Sequence, residues 1–231
     1  MGFGPHLEVS VPQKEGKALT VLLAPHTKEA MPTFVQRGGM QQHSVNRYLA
    51  PKRTVPVLED ELDWFEKTRA QGDSVVWAVW VESAGELKVI GGIGLESIEH
   101  GPSGFVQATD GIILFDQTYW RKGIASAIQK AVTWFAFTEL GIGRIKAAVI
   151  QGNVGSLKAL QGAGYSLVYV ERNTAYVAGK LHHQDNLECV NPLEPFFSTW
   201  WGGDVETDEA LGAREKVLAV FKWAEGHVRI L

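Results

Sequence analysis

Residues 113–126 read ILFDQTYWRKGIAS, and the fold turns on how they are read. An apolar run, Ile113 to Phe115, ends in a short polar loop, and the chain restarts as a helix through Gly123 with the small Ala125 two positions on. A strand that feeds a helix in this way aims several backbone N–H groups at one point. The first amides of a helix have no intrahelical acceptor and sit at the positive end of its dipole, so the turn suits a phosphate. Gly123 admits an anion close to the backbone, and Ala125 keeps the next turn slim. Ser126 adds a hydroxyl, and Arg121 and Lys122 bring positive charge. Taken alone, the stretch favours an ordinary strand-to-helix junction, because many helices begin after a glycine and a basic residue.

The segments around it decide the class. Residues 75–82 (VVWAVWVE) and 88–98 (KVIGGIGLESI) are β-rich runs joined by SAGEL as a hairpin, and 106–115 continue as a strand after HGPSG. Residues 123–139 carry Ile124, Ala127, Ile128, Ala131, Phe135 and Thr138 along one helical stripe. Residues 144–150 form a strand, 153–164 a short helix, and YSLVYVE and TAYVAGKL two last strands. Upstream, 19–24 (LTVLLA) is the first strand, Thr27 opens a short helix through Val35, and 37–56 is a long loop or broken helix. Residues 57–71 place Leu58, Leu62 and Phe65 at helical spacing, with Gly72 as the stop. The order predicts an α/β protein: a mixed, mostly antiparallel sheet with helices on both faces.

Composition bounds the function. The chain has 231 residues, 45% hydrophobic and 21% charged, which is enough to bury a core. A net charge of -4 argues against a nucleic-acid binder. Cys189 is the single cysteine, which points to a reducing, cytoplasmic setting without a disulfide framework. The start, MGFGPHLEVS, has no apolar leader pattern, and the sequence offers no apolar membrane span. Adjacent His182 and His183 point to opposite faces of a strand and lack a partner motif, so no metal is expected.

A second signature lies thirty residues beyond the first. Asn153 and Ser156 open a short helix that ends in Gly164-Tyr165, directly after a strand. With Trp120-Arg-Lys-Gly123-Ile-Ala125 standing where a Gln/Arg-x-x-Gly-x-Gly/Ala loop would, the chain resembles the GNAT superfamily of N-acetyltransferases over roughly residues 19–181. Its pattern is most similar to the branch that acetylates ribosomal-protein N-termini (the RimJ/RimL type). The resemblance implies a V-shaped splay between two central strands that takes acetyl-CoA. The amides of Lys122, Gly123, Ile124, Ala125 and Ser126, with Arg121, would hold the diphosphate. Main-chain groups of Ile113, Leu114 and Phe115 would pair with the pantetheine arm, and Asn153 would meet it from the other side.

Acetyl transfer needs a neutral amine and a stabilised leaving thiolate. Where many family members carry an acidic tyrosine, seven residues after the asparagine, this chain has Leu160, so Ser156 becomes the candidate partner of the sulfur. A helix-start hydroxyl with no catalytic part is an equal reading of Ser156. The slot for a catalytic glutamate holds Thr109, and the neighbouring Asp110 alternates to the opposite face. Glu96 is therefore the expected base, with Glu99 and His100 in reserve and a solvated strand-end charge as the competing reading.

The expected activity is acetyl-CoA-dependent N-acetylation of a primary amine on a small molecule or a protein N-terminus. A CoA-binding sensor or scaffold, or an acyltransferase acting on a nucleic-acid-linked amine, are the alternatives. Residues 1–181 form the expected catalytic domain. Residues 182–231 are an extension in which HHQDNLECVNPLEP is a connector, Phe196, Phe197, Trp200 and Trp201 an aromatic cluster, and Thr207 the cap of a last helix. With Leu211, Leu218, Phe221 and Ala224 as its apolar stripe, that helix would fold onto the core as a lid near the acceptor, or across a homodimer partner.

Overall fold

The structure, a computed structural model, describes residues 2–36, 38–49, 55–83, 85–101, 104–202 and 205–231. Its strands are β1 Leu7–Val11, β2 Leu19–Ala24, β3 Val75–Ser83, β4 Glu86–His100, β5 Val106–Leu114, β6 Arg144–Ile150, β7 Ser166–Val177, β8 Lys180–Val190 and β9 Val228–Ile230. Its helices are α1 Met31–Val35, α2 His43–Asn46, α3 Leu58–Ala70, α4 Ile124–Thr138, α5 Val154–Gly162 and α6 Asp208–His227. Among the described residues the strands form one sheet in the order β7-β8-β6-β5-β4-β3-β2-β1-β9. Neighbours are antiparallel except β5 and β6, which run parallel. The expected α/β class, with a mixed sheet and helices on both faces, is what the chain builds.

Alternation along the strands sorts the core into two layers. One layer joins Val9, Val79, Leu95 and Ala108 to the apolar stripe of α4, where Ile124, Ile128 and Phe135 are buried. The other joins Val89 and Phe115 to Met31, Phe34 and Phe65 from the helices before β3. Among the described residues no helix is long and apolar enough to cross a membrane.

Several expectations are corrected. β1 precedes the strand taken as first; it pairs with β2 and, on its other side, with β9, so the N- and C-terminal segments meet at one sheet edge. YSLVYVE and TAYVAGKL are not two strands. β7 runs through both, with an irregularity between Glu171 and Ala175, and turns at Ala178 and Gly179, both at positive φ as a tight hairpin requires. The polar run taken as a connector is most of β8, which lies between β7 and β6, so the boundary expected at residue 181 falls inside a strand. Only every second residue of β8 needs to be buried, and Asp185 among these is satisfied by Gln151 Nε2 at 2.7 Å. Thr27 makes no cap bond; a 3-10 turn, Lys28–Ala30, leads into α1 with Pro32 in its first turn. Of the loop expected at 37–56, α2 occupies part, while Arg37 and residues 50–54 lie outside the described residues. So do Ala84 in SAGEL and Pro102 and Ser103 in HGPSG.

The last helix is capped as expected, with Thr207 Oγ1 accepting the Ala210 N–H at 3.2 Å, but its buried stripe is displaced. Ala210, Ala213, Val217, Val220 and Ala224 face inward, while Leu211 and Leu218 face out. Small side chains lie inward on a helix whose Val217 joins the α4 layer of the core. Val217 is 1% exposed and Leu218 43% exposed, so the two positions separate the readings. Val217→Asp should destabilise the protein by more than about 3 kcal/mol, because an unpaired charge enters the core. Leu218→Asp should stay within about 0.5 kcal/mol, as surface changes do. Urea unfolding followed by circular dichroism measures both, and equal losses would contradict the observed face.

Candidate active site

β5 and β6 pair through Gln107↔Arg144, Ala108↔Ile145 and Thr109↔Lys146, and then separate. Each keeps its outer partner beyond that point: β5 pairs with β4 as far as Gly91↔Leu114, and β6 with β8 as far as Ile150↔Gln184. The result is a V whose inner strand edges have no backbone partner in each other. A cleft of about 480 Å³ opens there, with Gly94, Glu96, Asp110 and Gly111 on one wall and Ala147 to Ile150 on the other. Asn153, Ser156 and Leu160 from α5 border it, as do His26, Tyr48 and Trp64.

The loop before α4 stands at the open end of β5. Arg121 (φ 63°) and Gly123 (φ 77°) are both left-handed, and residues 121–123 are exposed. A Cβ on Gly123 would meet only Val11 Cγ1, at 3.7 Å, so backbone conformation and not space calls for glycine there. Gly123 is the N-cap of α4 and no side chain caps the helix, so its first amides remain free to donate. The loop is tied at both ends. Trp120 Nε1 donates to the Leu114 carbonyl at 2.9 Å, and Gln13 Nε2 donates to the Lys122 carbonyl at 3.1 Å. Lys122 Nζ lies 5.0 Å from the Tyr119 ring centroid.

Of Ile113, Leu114 and Phe115, only part of the main chain faces the gap. The Phe115 N–H donates to the Ile90 carbonyl at 3.0 Å, and its carbonyl accepts from Gln42 Nε2 at 3.0 Å, so Phe115 acts as a wall. The Leu114 carbonyl is held by Trp120, a contact the sequence pattern did not suggest. Asn153 caps α5, its Oδ1 accepting the Ser156 N–H at 3.4 Å, and both residues border the cleft. Leu160 is buried.

Glu96 is exposed at the cleft rim, opposite Thr109 in register and on the face of Gly94 and Gly111. Glu99 accepts from Gln107 Nε2 at 2.8 Å and, like His100, lies past the irregularity at Ser97 (φ 51°), outside the cleft lining. His182 and His183 do not converge. His182 Nδ1 is 3.0 Å from the Gln151 carbonyl, and His183 Nδ1 accepts the Asn173 N–H at 3.2 Å. Among the described residues there is no group of three metal-ligating side chains.

The aromatic cluster packs on the core at the closed end of the V, and not beside the 37–56 segment where the lid, one of the two expected placements, would put it. Phe105, just ahead of β5, meets Phe196 at 5.0 Å and Trp200 at 5.7 Å between ring centroids. Trp200 Nε1 donates to Glu188 Oε1 at 2.9 Å, and Glu188 pairs with Arg144 at 2.7 Å.

Two buried titratable groups stand out: His26, which no sequence pattern marked, and Asp110, which strand alternation had set on the opposite face from Thr109. His26 lies among Trp64, Phe34 and Phe3, and burial lowers its pKa to about 4, so it is neutral at pH 7. Asp110 is 8% exposed and lies on the α4 face, where its Oδ2 accepts from Gln129 Nε2 and from the Tyr165 hydroxyl. Burial, with a smaller push from Glu96, raises its pKa to about 7 against the pull of those two bonds. No motif marks Asp110; its buried slot in β5, two residues after Ala108, was the available signal.

A raised carboxyl pKa stabilises the fold while the group is protonated, and the stability is lost as pH rises from the unfolded value of 3.8 to about 7. His26 gives the opposite trend between about 4 and 6.5. That trend is common to wild type and Asp110→Asn, so it cancels in their difference. Asp110→Asn should therefore gain stability relative to wild type as pH rises from 4 to 8. A pH series of denaturant unfolding measures this, and a difference independent of pH would contradict the buried neutral acid.

A family model described as an acetyltransferase (GNAT) domain matches residues 20–166. A probable N-acetyltransferase of Bacillus subtilis (strain 168), YjcK, is 31% identical over 77 residues, 33% of this chain. The matched stretch spans 42% of that relative's length. Among solved structures, Mycobacterium smegmatis RimJ in complex with CoA-disulfide superposes with a TM-score of 0.66 at 17% identity, over 99% of this chain and 96% of that one. The spermidine N-acetyltransferase of Vibrio cholerae, in complex with CoA and spermine, gives 0.63 at 14% identity, over 74% and 95%. These similar folds span several branches and do not single out the ribosomal-protein type.

Proposed function

From the premise that this chain belongs to the acetyltransferase (GNAT) family, we propose that it moves an acetyl group from acetyl-CoA directly to a primary amine of a small molecule or peptide. The observation that carries this reading is the parting of β5 from β6 after Thr109↔Lys146, with the loop before the uncapped start of α4 tied to the open end of β5 through Trp120. Splayed strand edges leave amide groups that an amide-bearing ligand can satisfy, and a free helix N-terminus suits its diphosphate. The residues present fit acetyl-CoA on both counts.

In this reading Arg121 and Lys122 supply charge, and the amides of Gly123, Ile124, Ala125 and Ser126 hold the diphosphate. The inner edge of β5 at Ile113 and Leu114 pairs with the pantetheine arm, and Asn153 closes the other side. Bound there, acetyl-CoA supplies an activated carbonyl. Glu96, on the acceptor face, takes the proton shed by the amine, directly or through a water. Ser156, at the first turn of α5, donates a hydrogen bond to the sulfur.

The phosphate assignment is tested with two substitutions that tolerate a left-handed backbone equally. Gly123→Asp should weaken CoA binding about five- to thirtyfold more than Gly123→Asn, since a carboxylate facing a diphosphate at a helix start costs on the order of 1–2 kcal/mol. Titration calorimetry reads the difference, and equal affinities would remove the loop from the phosphate site.

Activity is sought by incubating the protein with acetyl-CoA and a panel of amines, reading free thiol and the acetylated product by mass spectrometry. Ser156→Ala should raise the barrier by about 1–2 kcal/mol in kcat with little change in CoA affinity. Glu96→Gln should remove the acidic limb of the pH–rate profile. An unaltered limb would return Glu96 to a solvated strand-end charge. Binding of CoA without acetylation of any amine would favour a sensor.

A further inference from the structure

The sheet separates two carboxyl groups at the vertex of the V. Glu96 shares the acceptor face with Gly94 and Gly111, whereas Asp110, one residue past the last β5–β6 pair, faces α4. Both line the cleft, which passes between the strands from one face to the other. Glu96 is exposed; Asp110 is buried.

The two oxygens of Asp110 are not equivalent. Oδ2 accepts from both Gln129 Nε2 and the Tyr165 hydroxyl, the latter at 3.3 Å. Oδ1 is buried and has no partner. A carboxylate held this way would carry its charge in a dry site with one oxygen bare, which is expensive. A neutral carboxyl with the proton on Oδ1 fits better: Oδ2 is then the accepting carbonyl, and Oδ1 becomes a donor without an acceptor. Among the described residues that line the cleft on this face, Leu160 occupies the neighbouring turn of α5, and the Ser156 hydroxyl donates a bond but holds its proton.

We propose that Asp110 is the acid of the reaction, donating the Oδ1 proton to the departing sulfur from the face of the sheet opposite Glu96. The proposal rests on the acetyl-transfer reading above. As the C–N bond forms, Asp110 gives its proton to the sulfur that takes the electron pair of the breaking C–S bond. Glu96 takes the proton shed by nitrogen and passes it to water. Asp110, left as a carboxylate, regains a proton from solvent after the thiol has gone. Amine and thioester thus become amide and thiol, and the protein returns to its starting state.

The titratable groups facing Asp110 are Glu96 on β4, Tyr165 ahead of β7 and Cys189 on β8, while α4 presents the neutral Gln129. Burial raises the pKa of both Tyr165 and Cys189, so neither is charged near neutrality. Burial and, less strongly, the Glu96 charge oppose the ionised form of Asp110, while the bonds from Gln129, Tyr165 and the Gly111 backbone favour it.

The test begins on ligand-free protein. Infrared difference spectra should show a protonated-carboxyl band at pH 6 that fades as pH rises through about 7 and is absent in Asp110→Asn. With an acceptor found active, Asp110→Asn should lower kcat about 10²-fold at unchanged CoA affinity and lose the fall in kcat that wild type shows above about pH 7. Tyr165→Phe should move that fall to higher pH, which a loss of packing alone would not do. A wild type without the band at pH 6, or an Asp110→Asn enzyme with wild-type kcat and profile, overturns the inference while leaving the acetyltransferase reading intact. A wild type that binds CoA yet acetylates no amine removes that reading, and the inference with it.

Discussion

The arrangement depends on one interruption: two parallel strands that pair for three residues and then let go. Leaving strand edges unpaired inside a protein is unfavourable unless something else satisfies the N–H and C=O groups. Here the strain of separation is distributed. β4 and β8 hold the outer edges of β5 and β6 along their length, so the inner edges can part without either strand fraying. Trp120 occupies the Leu114 carbonyl and so removes one acceptor from the exposed edge while fastening the loop before α4 to the strand it follows. The same contact fixes where the free helix amides stand relative to the gap.

Strand alternation then decides the chemistry available on each side. Successive side chains on β5 alternate between the α4 layer and the layer of α1 to α3, so Gly111 leaves open space toward the acceptor while Asp110 faces helix and core. The partition produces two different carboxyl groups one position apart in register. The exposed one keeps solvent, and burial raises the pKa of the other to about 7, so that it is mostly protonated below that pH. Neutral His26, enclosed by Phe34 and Trp64, adds an uncharged wall to the cleft.

How legible this was in the sequence follows the same physics. The loop at 120–126 and the start of α5 were legible because their residue types are dictated locally, by a left-handed backbone at Gly123 and a capping side chain at Asn153. α3, α4 and β6 were legible from period alone. β8 was not, because its inward slots include Asp185 and its outward ones are His, Gln, Asn and Glu, so the strand is polar in composition and apolar only by register. β1 has plain alternation, LEVSV, but is short and becomes a strand through its pairing with β2, while β9 has only three residues and becomes one through β1. Asp110 was visible as a residue and invisible as an acid, since its state depends on Gln129 and Tyr165, 19 and 55 positions away.

The C-terminal residues contribute where the V closes. A wedge between two strands keeps its angle only if its vertex cannot slide, and at that end the contacts are many and directional. The Gly143 N–H donates to the Val106 carbonyl at 2.8 Å, and the Asn191 N–H to the Gly143 carbonyl at 2.9 Å, linking β5, β6 and the end of β8 in one chain of backbone bonds. Buried Asn191 adds a side-chain bond to the Ile142 carbonyl at 3.1 Å. Outside this, Arg144 is held by Glu188 at 2.7 Å and lies over the Trp200 ring at 5.3 Å, while Phe196 and Trp200 cover Phe105. Aromatic area that would be unfavourable in water is thereby used against the strand starts, at roughly 25 cal/mol per Å². The parted ends of β5 and β6 are left to the ligand because the joined ends are secured by residues from beyond β8.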